Sequence, residues 1–169
     1  GPMDYIPYTT HNAQKDTWRP VGDMPMGMGT RVHSMALYVI MESPMQMLPD
    51  APSDYYEEEE CTQFISAIPT EWDDLKVLHS EVGKHTVLAR KNGENWYVGA
   101  ITNWNRKSFK ISLDFLDEGN YQMEFIRDGI NADTRAIDYV KKSKTVNSSQ
   151  TLEIDLAPGG GWIARIIKI

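Results

Sequence analysis

The side chains in this sequence that could do chemistry fall into a few groups. Trp96, Trp104 and Trp162, with Tyr97 and Tyr121, could form a sugar-stacking face if their rings point outward. Alternation along an extended strand puts Trp96, Val98, Ala100, Thr102 and Trp104 on one side. That mixture suits a core as well as a binding platform, with core packing the closer match. The acidic run at 57–60 offers carboxylates, the usual ligands of calcium. It also suits the first turn of a helix, where negative charge meets the positive end of the dipole, and this is the plainer reading.

The remaining groups point to no reaction. His11, His33, His79 and His85 lack the spacing of a zinc site, and Cys61 is the single cysteine, which excludes an internal disulfide and a cysteine-based zinc cage. In "DGINAD", Asp128, Asn131 and Asp133 present oxygens, but without the alternating ligands and central glycine of a calcium loop; the stretch matches a strand-connecting turn better. "PGGGW" is followed by the β-rich "WIARIIKI" and not by a helix, so it reads as a flexible turn into a last strand, not as a phosphate-binding loop. No Ser/His/Asp set stands at an informative spacing.

Charge and hydropathy narrow the classes. The net charge is −7 and the pI about 5.0, and the densest basic stretch is Lys141-Lys142-Ser143-Lys144, so the sequence carries no electrostatic footprint for nucleic acid. No apolar run approaches the length of a membrane span. The charge is uneven: residues 1–60 hold three basic side chains, Lys15, Arg19 and Arg31, against ten acidic ones, whereas residues 61–169 hold fourteen of each. Eight of the nine methionines also lie in the first 47 residues. Two segments of different character therefore meet near 60–70.

The elements that must position these residues differ in the same way. Residues 1–28, punctuated by Pro2, Pro7, Pro20, Pro25, Gly22 and Gly27, read as irregular. Thr30 is a good N-cap for a helix carrying Val32, Met35, Ala36, Val39 and Ile40 up to a stop at Ser43-Pro44. Leu37, Tyr38 and Met41 make that helix apolar around most of its circumference, so it wants cover on more than one side, more than a lone 60-residue segment supplies. A second helix is expected from a cap at Ser53 or Asp54 to Pro69. From residue 71 the period becomes alternating, with strands expected at 76–82, 85–91, 96–104, 109–115, 121–127, 136–146, 151–156 and 162–169. Eight short strands with turn signals between them describe an antiparallel sandwich or barrel, so the chain is expected to be mainly β.

Several stretches together resemble the C-terminal end of glycoside hydrolase family 97, the bacterial α-glucosidase and α-galactosidase family. They are "GPMDYIP", "GTRVHSMALYVIMESPMQMLPDAPSDYY", "CTQFISAIPTEWDDLKVLHSEVGKHTVLARKNGENWYVGAITNW", "DGINAD" and the terminal "LAPGGGWIARI", in order along essentially the whole chain. The resemblance implies the last element of a (β/α)₈ catalytic barrel at 1–60, a helix end and linker at 61–70, and a C-terminal Greek-key β-sandwich, often described as an oligomerisation domain, at 71–169. It implies that Asp4 and Tyr5 lie near the C-terminal end of the last barrel strand as substrate contacts, on the face where such barrels keep their active sites. The catalytic carboxyl groups and the ligands of the family's calcium ion are implied to lie upstream of Gly1, leaving no catalytic or metal-binding residue here. The implied partners are the remainder of the barrel, the parent's carbohydrate substrate and further copies of the same chain, in a periplasmic or secreted location. A free-standing sugar-binding or self-associating module is the alternative. The loop "HNAQKDTWRPVGDMPMGMGT" departs from the family pattern, and with it any reading of substrate choice there.

Overall fold

The computed structural model describes residue 4 and residues 6–169. In chain order the elements are β1 (Asn12–Ala13), β2 (Gly27–Met28), α1 (Arg31–Ile40), α2 (Pro52–Glu57), α3 (Glu59–Ser66), β3 (Asp74–Glu81), β4 (His85–Asn92), β5 (Asn95–Thr102), β6 (Lys107–Ser112), β7 (Tyr121–Asp128), β8 (Tyr139–Val146), β9 (Thr151–Leu156) and β10 (Gly161–Lys168). All eight expected strands form. The largest differences are at the end of β6, which stops at Ser112, and at the start of β8, which begins at Tyr139 because 136–138 belong to the preceding turn.

Six strands make one antiparallel sheet in the order β3-β4-β5-β10-β7-β8, and β6 pairs with β9 in a second. The last strand thus inserts between β5 and β7. The two sheets enclose a core that includes Trp96, Val98, Tyr121, Met123, Leu152, Ile154 and Trp162. Alternation in β6 and β9 delivers Phe109, Ile111, Leu152 and Ile154 to that core and leaves Ser108, Lys110, Glu153 and Asp155 outside.

The other face of the large sheet is covered by the helices, making three layers. Its core takes Tyr8, Val32, Met35, Val39, Cys61, Phe64 and Ile65 from the helical segment, and Tyr97, Ile126 and Ile163 from the sheet. The all-round apolar helix α1 therefore finds its cover within this chain: seven of its ten residues are buried, including Tyr38 as well as Val32, Met35 and Val39. The need for cover was legible in the sequence, and the family resemblance implies a place for this helix between barrel and sandwich; that seven of its ten residues are buried within this chain was decided by the tertiary structure.

Two boundaries move. Thr30 caps α1 as expected, accepting from the His33 amide at 3.0 Å, but the helix ends at Ile40, short of Ser43-Pro44. The expected second helix is two, broken at Glu58, whose φ of −105° and ψ of 43° are not helical. Its N-cap is Ala51, with Pro52 at the first helical position and the Asp54 carboxylate accepting from the Ala51 amide at 3.1 Å, so neither Ser53 nor Asp54 is the cap. The segment read as irregular contains one ordered closure: β1 and β2 pair in parallel, Asn12 beside Gly27 and Ala13 beside Met28.

Candidate functional site

The functional question centres on the seam where residues 8–58 meet the loops of the sandwich. The α1 helix enters this seam with its first amides already occupied. Thr30 N–H donates to the Gly159 carbonyl at 2.9 Å and Arg31 N–H to the Ala136 carbonyl at 2.8 Å. Amides at a helix start have no partner within the helix, so here the sandwich supplies one for Arg31. The His33 ring Nδ1 lies 3.1 Å from the Gly160 carbonyl, and burial lowers the pKa of that imidazole, with the carbonyl working against the shift.

Beneath the helix start lies Asp128, at the end of β7 and only 4% exposed. Its Oδ2 accepts from the amides of Ala157 and Gly161, each at 2.9 Å. Burial pushes its pKa up to about 6, against the Thr30 hydroxyl and those two amides, which favour the carboxylate. The side chain read as a turn former in "DGINAD" is thus a buried clamp joining β7, the glycine-rich loop and the cap of α1. The rest of the stretch is a turn, with Gly129 N–H donating to the Asp138 carbonyl and Asn131 N–H to its carboxylate.

A raised carboxylate pKa means the folded protein holds this proton more tightly than the unfolded chain does. The stability it contributes is complete below the ordinary value of 3.8 and is lost as pH rises through about 6. An asparagine keeps an acceptor for both amides and carries no charge. Asp128→Asn is therefore expected to gain on the parent between pH 4 and pH 6, by ~3 kcal/mol at most. Urea unfolding of both proteins across that range checks it; a pH-independent difference would refute the buried-carboxylate account.

A second cluster holds the helical segment together. The Arg31 guanidinium, 3% exposed, makes a two-pronged pair with Glu58, at 2.5 Å from Nη1 and 2.9 Å from Nη2, and donates from Nη2 to the Thr10 carbonyl at 2.6 Å. Burial opposes the Arg31 charge, but the bond to Glu58 and the neighbouring groups outweigh it and hold the guanidinium charged. Cys61 lies fully buried beside this pair, and burial raises its thiol pKa, which makes it a packing residue and not a nucleophile. Thr10 in turn donates from its hydroxyl to Asp50 at 2.8 Å. Glu60 accepts from the Tyr139 hydroxyl at 2.9 Å and Glu59 from the Gln63 amide at 2.7 Å. The acidic run therefore points three ways instead of converging on an ion, and among the described residues no group of three or more His, Cys, Asp or Glu is arranged to hold a metal.

Three hollows open at this seam, and His11 lines all of them. The first, about 330 Å³, lies between Thr17, Met24 and Met26 on one side and Thr134, Arg135 and Ile137 on the other. The second, about 640 Å³, is bordered by Asp23, Asp50 and Asp54. The third, about 110 Å³, reaches Arg31 and Glu58. The second hollow is acidic, whereas the first carries threonines, Arg135 and two methionines.

The residues singled out from the sequence scatter. Trp96 and Trp162 are each 2% exposed, so neither forms a sugar-stacking face: alternation put them on the inward side of β5 and β10. Trp104 is 37% exposed, with its ring packed over Gly159 so closely that a Cβ there would come within 2.4 Å of it. Asp4 is exposed, and Tyr5 lies outside the described residues. Of the seam residues, Gln14 was not singled out, Arg31 gave a signal as a charge at the start of a largely apolar helix, and Glu58 and Asp128 were weighed only as a helix-start acid and a turn former.

Comparison with known proteins accounts for this arrangement. The family model described as "Glycosyl-hydrolase 97 C-terminal, oligomerisation" matches residues 71–167. A retaining α-galactosidase of Bacteroides thetaiotaomicron is 42% identical over 166 residues, covering 98% of this chain and 25% of that protein. A probable retaining α-galactosidase of Streptomyces bingchenggensis is 26% identical over 97% of this chain and 23% of its own length. Among solved structures, a glycoside hydrolase family 97 enzyme from Pseudoalteromonas sp. strain K8, in complex with panose, superposes on the whole chain with a TM-score of 0.89 and 33% identity, over 27% of its length. This chain spans about a quarter of the length of the curated relatives it matches. With the family model matched over more than half of its residues, the chain belongs to glycoside hydrolase family 97, whose C-terminal domain it contains.

Proposed function

We propose that this chain is the C-terminal quarter of a glycosidase that cleaves α-linked galactosides or glucosides. In this reading residues 1–60 are the last element of the catalytic barrel, 61–70 a helix end and linker, and 71–169 the supporting sandwich. The observation that carries it is the 42% identity to a retaining α-galactosidase along 98% of the chain. The exposed apolar side chains of the first sixty residues agree with it. Trp18, Met24, Met28, Met45, Leu48 and Tyr56 are each at least 37% exposed, an apolar surface that suits contact with the remainder of a barrel.

The chemistry of such an enzyme needs two carboxyl groups flanking the glycosidic bond, about 5–5.5 Å apart when configuration is retained. No pair in this chain is assigned that work, and catalysis belongs to the upstream part. Asp4 and Tyr5 remain proposed substrate contacts. The family's calcium is proposed to be held upstream as well, as the family resemblance implies; within the acidic run, Glu58, Glu59 and Glu60 are engaged by Arg31, Gln63 and Tyr139. Self-association is carried by the family's description, and β3, an outer strand with Leu75 and Val77 exposed, offers an open edge for it. The family resemblance also carries a periplasmic or secreted location.

The test is enzymatic. The full-length protein that carries this chain is expected to release sugar from an aryl α-galactoside or α-glucoside, and the purified 169-residue chain to release none. Release by the chain alone, or inactivity of the full-length protein on both substrates, would overturn the reading. The alternative of a free-standing sugar-binding module has lost two of its three aromatic platforms to the core.

A further inference from the structure

The loop between β1 and β2 has its ends joined and its base tied to the sandwich. At the ends, Gly27 N–H donates to the His11 carbonyl and Gly29 N–H to the Ala13 carbonyl, each at 2.9 Å. Within the tip, the Trp18 indole N–H donates to the Met26 carbonyl at 2.8 Å. The link to the rest of the molecule runs through Gln14, which is 7% exposed. Its Nε2 donates to two carbonyls of two different sandwich loops, Ala132 at 2.7 Å and Pro158 at 2.9 Å. The Gln14 backbone carbonyl accepts from the amides of Thr17 and Trp18 at 3.0 and 2.9 Å, starting a turn into the loop.

This arrangement uses both protons of one amide group, so the side chain has a single orientation that satisfies both loops. The two acceptors are themselves fixed. Ala132 sits in the turn closed by the Asp138 contacts, and Pro158 adjoins the Ala157 amide held by Asp128. The tip residues Thr17, Met24 and Met26 form one wall of the 330 Å³ cleft, and Thr134 and Arg135, beside Ala132, form the other. Gln14 therefore joins the loop that forms one wall to the turn that carries the other.

We propose that Gln14 is a positioning residue: it ties the 14–26 loop to the sandwich and so holds the cleft wall in the geometry that the parent enzyme uses toward its carbohydrate. The part concerning carbohydrate rests on the function proposed above, in which this loop follows the last barrel strand on the face where barrel enzymes bind substrate. In such enzymes a rigid second layer keeps contacts on the substrate within tenths of an ångström. The sandwich thereby takes part in shaping the substrate face besides covering α1.

Two substitutions test it. Gln14→Met keeps the volume and removes both donors; Gln14→Glu keeps the shape and presents an acceptor to two carbonyls. In this chain, hydrogen exchange of the bonded Thr17, Trp18 and Gly27 amides is expected to quicken at least tenfold in both variants, with exchange in β4, β5 and β10 unchanged. In the full-length protein, KM for an oligosaccharide substrate is expected to rise at least threefold while kcat changes by less than twofold, and Gln14→Asn, too short for both carbonyls, is expected to fall between. Unchanged loop exchange would overturn the tie. Quickened exchange with unaltered KM would overturn the positioning role. A full-length parent protein without glycosidase activity would refute the functional reading instead, and loop exchange in this chain would still decide whether Gln14 holds the loop.

Discussion

Replacing Glu58 with alanine is expected to lower the stability of this chain by about 3–5 kcal/mol. The reason is the partner left behind. Arg31 is 3% exposed, and without Glu58 the Thr10 carbonyl is its remaining hydrogen-bond acceptor of the pairing. An isolated buried charge costs far more than the net worth of an intact pair. Since Glu58 is itself a third exposed, water reaches the vacated site and the lower half of that range is the better figure. Urea unfolding, read at the midpoint with the slope held as a check on cooperativity, gives the value directly. A loss below about 1 kcal/mol would show that the pair is solvated like a surface ion pair. The double change Arg31→Met with Glu58→Leu should recover most of the loss, because neither charge then remains to be desolvated.

Gly161→Ala is expected to cost about 3 kcal/mol or more, by overpacking against atoms that cannot turn aside. A Cβ at 161 would meet His33 N at 2.5 Å, with His33 Cα and Val32 C at 2.6 Å, all of them backbone of α1. The helix must lift from β10, loosening its contacts with Ile163 and Tyr97 in the helix–sheet core. The same helix passes over Gly99 of β5, where a Cβ would come within 2.9 Å of the Ala36 carbonyl. Gly83 is the matched control: it adopts a φ of +75° with no atom within 4 Å, so Gly83→Ala pays only for backbone conformation, about 1 kcal/mol. Thermal unfolding of both variants, with hydrogen exchange of α1, separates the two costs. If Gly161→Ala melts no lower than Gly83→Ala, the helix is not seated as closely as described.

The two substitutions mark where sequence reading succeeded and where it stopped. Thr30 was legible as a cap because a cap is a local device, one hydroxyl reaching three residues ahead. The strands were legible because each alternates its own apolar residues, as in Phe109 and Ile111. The inward orientation of Trp96 and Trp162 was half legible. Alternation put Trp96 with Val98 and Ala100, but which face of β5 met the second sheet depended on β6 and β9. The glycines of "PGGGW" read as a turn, and a turn they are, yet the steric demand at Gly161 comes from a helix some 130 residues earlier. The identity of Asp128 as a clamp had no local mark at all, since a strand-end aspartate followed by glycine is what any tight connection shows.

By itself, then, the sequence determined the mainly β class, the eight strands, the capped and all-round apolar helix, and through its motifs the membership of glycoside hydrolase family 97. These are properties of short-range periodicity and of residues read in order. Only the tertiary structure decided what covers α1, which charges lie buried together, and that Gln14 spans from one loop to two others. Each of those joins residues far apart in the chain through contacts that depend on the packing angle of whole layers, and no local spacing encodes that.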